Sequence, residues 1–338
     1  MYKVVLDVMG GDFAPSVILK GAKLALEEFP DLYLYLVGKE SVLRSWENHE
    51  RVSLVFAEEV IKMDESPGEA LRKKKNSSIF KGLELLKNNE TSAFVSAGNS
   101  GAVAAGSIFI LGRLKGVRRP AIATLLPSIK DPFVLIDVGA NVDSKPLDLF
   151  LFGIMGKIFL EKIWGKENPK IALLSIGEES GKGNILVKKA HQLFKKSKLN
   201  YVGNIESRDM FKGEVDVIVC DGFIGNICLK LSEGLVEVII EMLKNEVKKS
   251  FISIMGMLLA KNALKAFKKK SDWREYGGAP LLGVKGNVII AHGRSDALAI
   301  KNAIKVAINS IKNDLVRKLE KAIKENKDYF EEEEKSEF

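Results

Sequence analysis

Glycine turns that carry polar side chains follow several short apolar runs in this sequence, and the clearest lies within residues 93–110, AFVSAGNSGAVAAGSIFI. Gly98 and Gly101 permit a tight turn, and Asn99 and Ser100 place polar side chains where a helix of small residues begins. The first N–H groups of a helix are unpaired and lie at the positive end of its dipole, so they attract anions. The turn therefore predicts a phosphate-binding site. The structural alternative is that Ser100 caps the helix and the glycines only turn the chain.

Three more turns of this kind follow apolar runs, at residues 9–12 (MGGD), 137–141 (DVGAN) and 221–226 (DGFIGN). Ligands of open α/β sheets bind at the carboxyl ends of the strands, so we expect these turns to face one cleft. The alternative role of their aspartates is to fix the loops by accepting backbone hydrogen bonds, which we favour for Asp7. With Asn184 from a later loop, the residues assigned to phosphate binding are Gly10, Gly11, Asp12, Gly98, Gly101, Asp137, Asn141, Asn184, Asp221, Gly222 and Gly225.

A lysine-bearing loop, SIGEESGKGN at residues 175–184, follows another apolar run. Its spacing from Gly177 to Gly181 and Lys182 is one residue short of the P-loop of nucleoside triphosphatases. No acidic metal site accompanies it, so we exclude a nucleoside triphosphatase. Lys182 is either part of a flexible loop or a mobile cation that meets a phosphate group. Nothing in the chain matches the glycine fingerprint of a nicotinamide dinucleotide site.

Composition is that of an ordinary globular protein: 338 residues, 46% hydrophobic and 28% charged. Acidic Asp7 and Asp12 precede any apolar segment of signal-peptide length, so we expect a cytoplasmic protein. Cys220 and Cys228 lack partners at metal-ligand spacing and are expected to be reduced thiols. The net charge of +8 indicates an anionic partner. Nucleic acid is disfavoured because the basic clusters carry no interleaved aromatic residues.

Apolar runs alternate with helical patterns, which predicts a mostly parallel sheet with helical crossovers. Two runs, 122–126 and 133–137, are so close in sequence that one strand is expected to be antiparallel. We interpret residues 276–283 as a loop, 287–291 as a last strand and 296–324 as one helix. Residues 1–325 are predicted to form a single catalytic domain, and the acidic tail 326–338 is predicted to be disordered.

Residues 235–272 form an unusually apolar helical segment, which we interpret as a hairpin that protrudes from the sheet. Its uncharged part, 250–260, is too short to span a bilayer. Apolar side chains recur at helical spacing beside lysines, as in an interfacial amphipathic helix or a dimer helix, although core packing is the ordinary explanation. The side chains assigned to membrane or dimer contact are Met257, Leu258, Leu259, Leu264 and Phe267.

Taken together, the loop sequences closely resemble the PlsX family of acyl-carrier-protein:phosphate acyltransferases. The resemblance extends over essentially the whole chain in family order, with Val8 and Ser100 standing where the family more often has Ala and Thr. The matching segments are DVMGGDFAP (7–15), ALRKKKNSS (70–78), SAGNSGA (96–102), DVGANVD (137–143), CDGFIGNICLK (220–230), YGGAPLLGVKG (276–286) and AHGRSD (291–296).

The resemblance implies transfer of a fatty acyl group from an acyl carrier protein thioester to inorganic phosphate, giving acyl phosphate for phospholipid synthesis. It also implies a Rossmann-like three-layer α/β/α fold related to phosphotransacetylases and the isocitrate dehydrogenase group. The implied assembly is a homodimer at the membrane periphery, in contact with anionic lipid and a downstream membrane glycerol-phosphate acyltransferase. We expect no cofactor and no metal.

Phosphate dianion is already a nucleophile, so we expect direct attack on the thioester, with the protein supplying position and charge stabilisation. Asn99, Ser100 and Asn226 are assigned to a polar shell around the substrates, and Lys182 or Lys230 to compensation of the phosphate charge. His292 is assigned as a catalytic residue whose ring a carboxylate orients. Cys220 is the rival nucleophile, although its place at the end of an apolar strand favours a buried, inert thiol.

Acyl carrier protein is acidic, which makes the basic clusters candidate docking surfaces. The residues assigned to docking are Arg72, Lys73, Lys74, Arg118 and Arg119. The nearest alternative enzyme is a phosphotransacetylase that uses acyl-coenzyme A. A membrane scaffold without turnover is disfavoured because binding alone does not require so many polar turns at strand ends.

Overall fold

The computed structural model describes residues 1–326 and 329. Within them, one eleven-stranded sheet has the order β3-β2-β1-β4-β11-β10-β5-β6-β9-β7-β8. The strands are β1 (Tyr2–Asp7), β2 (Leu32–Gly38), β3 (Val52–Phe56), β4 (Ala93–Ser96), β5 (Ala121–Leu126), β6 (Phe133–Ile136), β7 (Ile171–Ser175), β8 (Tyr201–Glu206), β9 (Val217–Val219), β10 (Ala279–Leu282) and β11 (Asn287–Ile290).

The sheet is mostly parallel, as predicted, but it consists of two parallel groups that run in opposite directions. β3, β2, β1, β4 and β11 form one group, and β6, β9, β7 and β8 form the other. Antiparallel pairings of β11 with β10, β10 with β5, and β5 with β6 join them. The predicted antiparallel strand at 122–137 is confirmed. Because three antiparallel steps reverse the strand direction, the turns after the two groups leave opposite edges of the sheet, so the expected shared cleft does not follow from the strand ends alone.

Helices cover the faces of the sheet, as the three-layer prediction requires. They are α1 (Ser16–Glu28), α2 (Glu40–Leu43), α3 (Pro67–Lys73), α4 (Ser78–Lys87), α5 (Ser100–Ile110), α6 (Pro146–Ile163), α7 (Ile185–Lys196), α8 (Gly222–Lys248), α9 (Phe251–Leu259), α10 (Lys261–Ser271), α11 (Ala297–Lys312) and α12 (Leu315–Glu325).

Side chains of each strand alternate between two buried layers. In β1, Val5 joins the cluster under α4 and α5, whereas Val4 and Leu6 join the cluster under α1 and α11. The strands of the second group are covered in the same way by α6, α7 and α12. Burial on both faces explains why these strands read as continuous apolar runs and not as alternating ones.

Two elements differ from the sequence prediction near the carboxyl end. The expected loop 276–283 contains β10, whose Leu281 and Leu282 are fully buried and pair with β5. The expected single helix 296–324 is two helices, because Asp314 takes a left-handed conformation with φ of 51° and ends the first one. Except for Asn326, the acidic tail lies almost wholly outside the described residues, with only Tyr329 included.

The apolar segment 235–272 is built from the far part of α8 together with α9 and α10. Ala260 separates α9 from α10, so the apolar side chains assigned to membrane or dimer contact are divided between these two helices. Phe251, Ile252 and Leu259 are more than three-quarters exposed. In the described part of the chain, no helix combines the length and apolar character needed to cross a membrane.

Candidate active site

The turns after β1 and β4 pack against each other and form a first turn cluster, residues 7–12 and 96–101. Asp7 is fully buried at its centre, where its carboxylate accepts hydrogen bonds from the Ser96 hydroxyl at 2.7 Å and the Met9 N–H at 3.0 Å. Burial raises the pKa of Asp7, and these hydrogen bonds oppose the rise. A Cβ placed on Gly10 would lie 2.5 Å from the Gly98 nitrogen, so the close approach of the two turns requires glycine. Asp7 therefore organises this cluster, as favoured from sequence.

Asn99, and not Ser100, caps helix α5. Its side-chain oxygen accepts the Ala102 N–H at 3.0 Å, and its buried amide nitrogen lies 2.9–3.1 Å from the carbonyl oxygens of Lys62, Met63 and Glu65. A side-chain NH₂ group has two hydrogens to donate, so these carbonyl oxygens occupy both hydrogens of Asn99. In this structure the Asn99 side chain is used within the protein, and its contact with phosphate stays a prediction. Asn99 fastens the segment 62–65 to the start of α5.

Ser100 is the exposed polar side chain of this turn, with its hydroxyl next to the capped start of α5. Gly101 is covered by Pro67, since a Cβ on Gly101 would lie 2.7 Å from the Pro67 ring. Of the polar residues assigned to this turn from sequence, Ser100 thus stays accessible to a ligand.

The turns after β6 and β9 form a second turn cluster, residues 137–141 and 221–226, centred on the buried carboxylate of Asp137. Its Oδ1 accepts the N–H groups of Ile122, Gly139 and Ala140 at 2.9–3.1 Å. Its Oδ2 accepts both the backbone N–H and the side-chain Nδ2 of Asn141, each at 2.8 Å. Burial raises the pKa of Asp137, and these donors oppose the rise.

The Asp137 and Asn141 side chains have partners within the protein, and their assignment to phosphate binding stays a prediction. Asn141 also donates to the carbonyl oxygen of Pro120 at 2.7 Å, so its amide is used within the protein. Both side chains are at least nine-tenths buried. Their role is to hold the turn after β6 in shape and to fix it to the start of β5.

Three further assignments to phosphate binding are used within the protein. Asp221 caps α8 by accepting the Ile224 N–H at 3.0 Å, and the Gly222 N–H donates to the carbonyl oxygen of Asn141 at 2.7 Å. Asn184 caps α7 by accepting the Val187 N–H at 2.9 Å. The Gly222 N–H is therefore used within the protein, and the assignment of Asp221, Gly222 and Asn184 to phosphate binding stays a prediction. Gly225 is required for packing, because any Cβ there would overlap the carbonyl oxygen of Asp137.

Asn226 and Lys230 are the exposed polar side chains that follow on α8. They stand one helical turn apart on the same face, about 6 Å along the axis. The amide nitrogen of Asn226 lies over Gly139, 3.2 Å from where a Cβ on that glycine would be. Lys230 Nζ lies 2.9 Å from Nε2 of His292, in the turn after β11.

His292 connects α8 to the first turn cluster through its own turn, residues 291–296. The Asp12 N–H donates to the carbonyl oxygen of Gly293 at 2.8 Å, and a Cβ on Gly11 would lie 3.2 Å from that oxygen. The Lys230–His292 contact therefore bridges turns that leave opposite edges of the sheet. Lys230 meets His292, and Asn226 stands one helical turn from Lys230 on the same face of α8. We call these three side chains the α8 wall.

Lys182 lies on the exposed loop after β7, away from this contact. Among the described residues, its side chain is beside Gly177 and its backbone N–H donates to Glu179 of the same loop at 2.9 Å. β7 neighbours β9 in the sheet, so the loop leaves the same edge as the second turn cluster. The role assigned to Lys182 stays a prediction.

Two of the basic residues assigned to docking are used internally. Arg118 pairs with the buried carboxylate of Asp148 through both Nε and Nη2. Lys74 donates to Glu65 at 2.5 Å and to the Val60 carbonyl oxygen at 2.7 Å. Arg72, Lys73 and Arg119 are exposed, and Arg118 keeps 42% of its side chain exposed despite its ion pair.

Cys220 is buried at the end of β9, with its sulfur 3.5 Å from the carbonyl oxygen of Asp137. Burial, followed by the neighbouring Asp137 charge, raises the pKa of this thiol well above its ordinary value, so the reactive thiolate is disfavoured. We expect the variant C220S to retain acyl phosphate formation close to the wild-type rate, measured as phosphate-dependent turnover. A loss of about a hundredfold or more with an unchanged melting temperature would instead support a covalent acyl-cysteine.

Sequence reasoning did not single out Ser96 or Glu233. Ser96 lies within the motif at 96–102, but its role is to donate a hydrogen bond to Asp7, which lies 89 residues away in the sequence. Glu233 stands three residues after Lys230, a spacing that places two side chains on one helix face. That spacing is the signal by which Glu233 can be found.

Nearly the whole chain is similar to known proteins. The family model described as fatty acid synthesis protein matches residues 2–318. The phosphate acyltransferase of Caldanaerobacter subterraneus subsp. tengcongensis is 48% identical over 322 residues, which cover 95% of this chain and 97% of the relative. The phosphate acyltransferase of Pelotomaculum thermopropionicum is 50% identical over 325 residues, covering 95% of each chain.

Solved structures with the same fold include a phosphotransacetylase from Streptococcus pyogenes, with a TM-score of 0.60 and 16% identity over 92% of this chain and 94% of that one. A branched-chain phosphotransacylase from Enterococcus faecalis V583 superposes with a TM-score of 0.59 and 16% identity, covering 93% of this chain and 100% of that one. At these identities the likeness shows the fold, and it confirms the predicted relation to phosphotransacetylases.

Proposed function

The chain belongs to the phosphate acyltransferase (PlsX) family of acyltransferases, and we propose that it transfers a fatty acyl group from acyl carrier protein to inorganic phosphate, forming acyl phosphate for phospholipid synthesis. The observation that carries the proposed site is the α8 wall, where Lys230, one helical turn from Asn226, meets His292 of the turn after β11. A cation and neutral donors at one cleft suit an anionic nucleophile and an oxyanion.

The reaction proceeds by direct attack. A phosphate oxygen forms a bond to the thioester carbonyl carbon, the carbonyl oxygen takes the negative charge, and the tetrahedral intermediate collapses as the carbon–sulfur bond breaks. The thiolate of the carrier leaves and takes up a proton. Lys230 balances the charge of phosphate, while Asn226 donates to the oxyanion or to phosphate. The buried thiol of Cys220 supports a route without an acyl-enzyme.

One assay tests the proposal: loss of the thioester measured with and without inorganic phosphate, using acyl-[acyl carrier protein] and acyl-coenzyme A side by side. We expect phosphate-dependent loss with the carrier protein thioester at the higher kcat/KM. A preference for acyl-coenzyme A would make the chain a phosphotransacetylase, the activity named for its structural neighbours. No phosphate-dependent loss with either donor would refute acyl transfer by this chain.

The α9–α10 segment is proposed to bind the membrane periphery. Leu258 and Leu259 are mostly exposed beside the basic residues Lys261 and Lys265, a combination that suits an anionic lipid surface. The apolar side chains that α8 exposes beyond Gly222 support the proposed homodimer. A chain bound at the membrane periphery would also lie next to a downstream membrane acyltransferase that consumes acyl phosphate, and we propose that the two proteins are in contact.

We expect the variant L259E to lose binding to vesicles that contain anionic lipid while its turnover in solution stays near wild type, because a carboxylate at this exposed apolar site opposes insertion into lipid. Vesicle co-sedimentation measures the binding. The matched control is I129E, which places the same charge at an equally exposed apolar side chain in the β5–β6 turn. If L259E still binds vesicles but becomes monomeric, the segment serves dimerisation.

A further inference from the structure

Glu233 faces two members of the α8 wall, Lys230 and His292. Its Oε2 lies 3.1 Å from Lys230 Nζ and 3.6 Å from His292 Nε2. The side chain is about three-quarters buried, with 24% of its surface exposed. Burial raises the pKa of Glu233, but the neighbouring His292 and Lys230 side chains more than offset it, so the pKa is lowered and the carboxylate is favoured.

The hydrogen-bond donors around His292 require an acceptor. Nδ1 of His292 accepts the Arg294 N–H at 3.0 Å, so the proton of the neutral ring belongs on Nε2. Lys230 Nζ, 2.9 Å from Nε2, is an ammonium and also a donor. Two donors facing each other repel unless a shared acceptor lies beside them. The carboxylate of Glu233 accepts a hydrogen bond from Lys230 Nζ at 3.1 Å and lies 3.6 Å from Nε2 of His292, close enough to attract its proton.

We propose that Glu233 is a positioning residue for the reaction: it fixes the Nε2–H tautomer of His292 and holds the Lys230 ammonium, so that both keep their place in the α8 wall. The catalytic part of this inference rests on the proposed function, whereas the tautomer part does not. Without the carboxylate, Lys230 would donate to Nε2, and the ring proton would move to Nδ1 at the expense of the Arg294 hydrogen bond.

Other charged groups around the turn at 291–296 hold its ends. Arg294 pairs with Glu237 of α8 at 3.2 Å, with both side chains more than half exposed. Asp296 pairs with Arg274 at 2.6 Å. Exposed pairs of the first kind contribute little, about 0–1 kcal/mol. Glu237, one turn beyond Glu233 on the same helix, is therefore the matched control.

The test combines ¹⁵N spectroscopy of the imidazole rings with kinetics of the full chain. The chain has three histidines, so H292N identifies the signals of His292. At about pH 9, above the ordinary titration range of imidazole, we expect the Nε2–H tautomer in the wild type and in E237Q, and the Nδ1–H tautomer in E233Q. We expect kcat to fall about a hundredfold in E233Q with a smaller change in KM for phosphate, and to recover partly in E233D.

An E233Q variant that keeps the Nε2–H tautomer, or that keeps wild-type kcat, overturns the inference. An equal loss in E237Q also overturns it, because it would show a general requirement for this part of α8. If the wild-type chain turns over neither thioester, the proposed function fails, and the tautomer measurement still decides whether Glu233 orients His292.

Discussion

The variant D137N is expected to lower the free energy of unfolding by about 3 kcal/mol or more and to abolish phosphate-dependent turnover at temperatures where the wild type is stable. Asp137 accepts five hydrogen bonds, from three backbone N–H groups on one oxygen and from the two donors of Asn141 on the other. An asparagine at position 137 keeps one acceptor oxygen. Its NH₂ group replaces the other oxygen and points two hydrogens at groups that are themselves donors. Each buried donor left without an acceptor costs about 1–3 kcal/mol. Denaturant unfolding followed by circular dichroism measures the change.

The matched control for this prediction is D143N, which makes the same chemical change at an exposed aspartate six residues along the chain. We expect it to alter the free energy of unfolding by less than about 0.5 kcal/mol. Equal stability of D137N and D143N would show that the buried carboxylate does not hold the second turn cluster together.

Sequence identified the polar turns correctly but misjudged which side chains in them face solvent. Asn99 and Asn141 have the residue types of a phosphate site, yet their partners are main-chain groups from distant segments: the carbonyl groups of residues 62–65 in one case and that of Pro120 in the other. A pattern of turns shows where a polar side chain stands along the chain. It does not show which remote backbone groups will take its hydrogen bonds.

The sheet direction illustrates the same limit at a larger scale. The apolar runs predicted the strands and the antiparallel pairing at 122–137, since two adjacent runs leave no room for a crossover helix. β10 was missed because its four residues, flanked by glycine turns, read as loop. Without β10, the number of antiparallel steps between the two groups is not known, and so the opposite direction of the second group is not known either.

Sequence predicted Lys230 and His292 as separate site residues, and the structure shows that they are in contact. Both residues were candidates on their own motifs, 62 positions apart. Their meeting depends on α8 starting in the second turn cluster and running to a turn that Asp12 fixes to the first. The three side chains of the α8 wall are exposed or half-buried, whereas the turn residues Asp7, Asn99, Asp137 and Asn141 are buried. That division favours chemistry for the first set and architecture for the second.

The variant N226A is expected to lower kcat by about a hundredfold to a thousandfold, with little change in the free energy of unfolding. Asn226 is exposed on the first turns of α8, where its amide lies over Gly139 and one helical turn from Lys230. Removing one donor to a developing oxyanion costs about 3 kcal/mol of transition-state stabilisation. Because the side chain is at the surface, its loss leaves no cavity in the core. Steady-state kinetics with acyl-[acyl carrier protein] at varied phosphate concentration measures both kcat and the KM for phosphate.

The two parameters separate the roles open to Asn226. A loss confined to kcat places its amide on the oxyanion, whereas a raised KM for phosphate with kcat maintained places it on the nucleophile. N226D keeps the shape but adds a negative charge, so we expect it to be impaired at least as strongly as N226A if the group beside it is an anion. The control E241A removes an exposed side chain four turns along α8 and should retain wild-type kinetics. Wild-type kcat and KM in N226A would remove Asn226 from the site and leave Lys230 and His292 as the groups that meet the substrate.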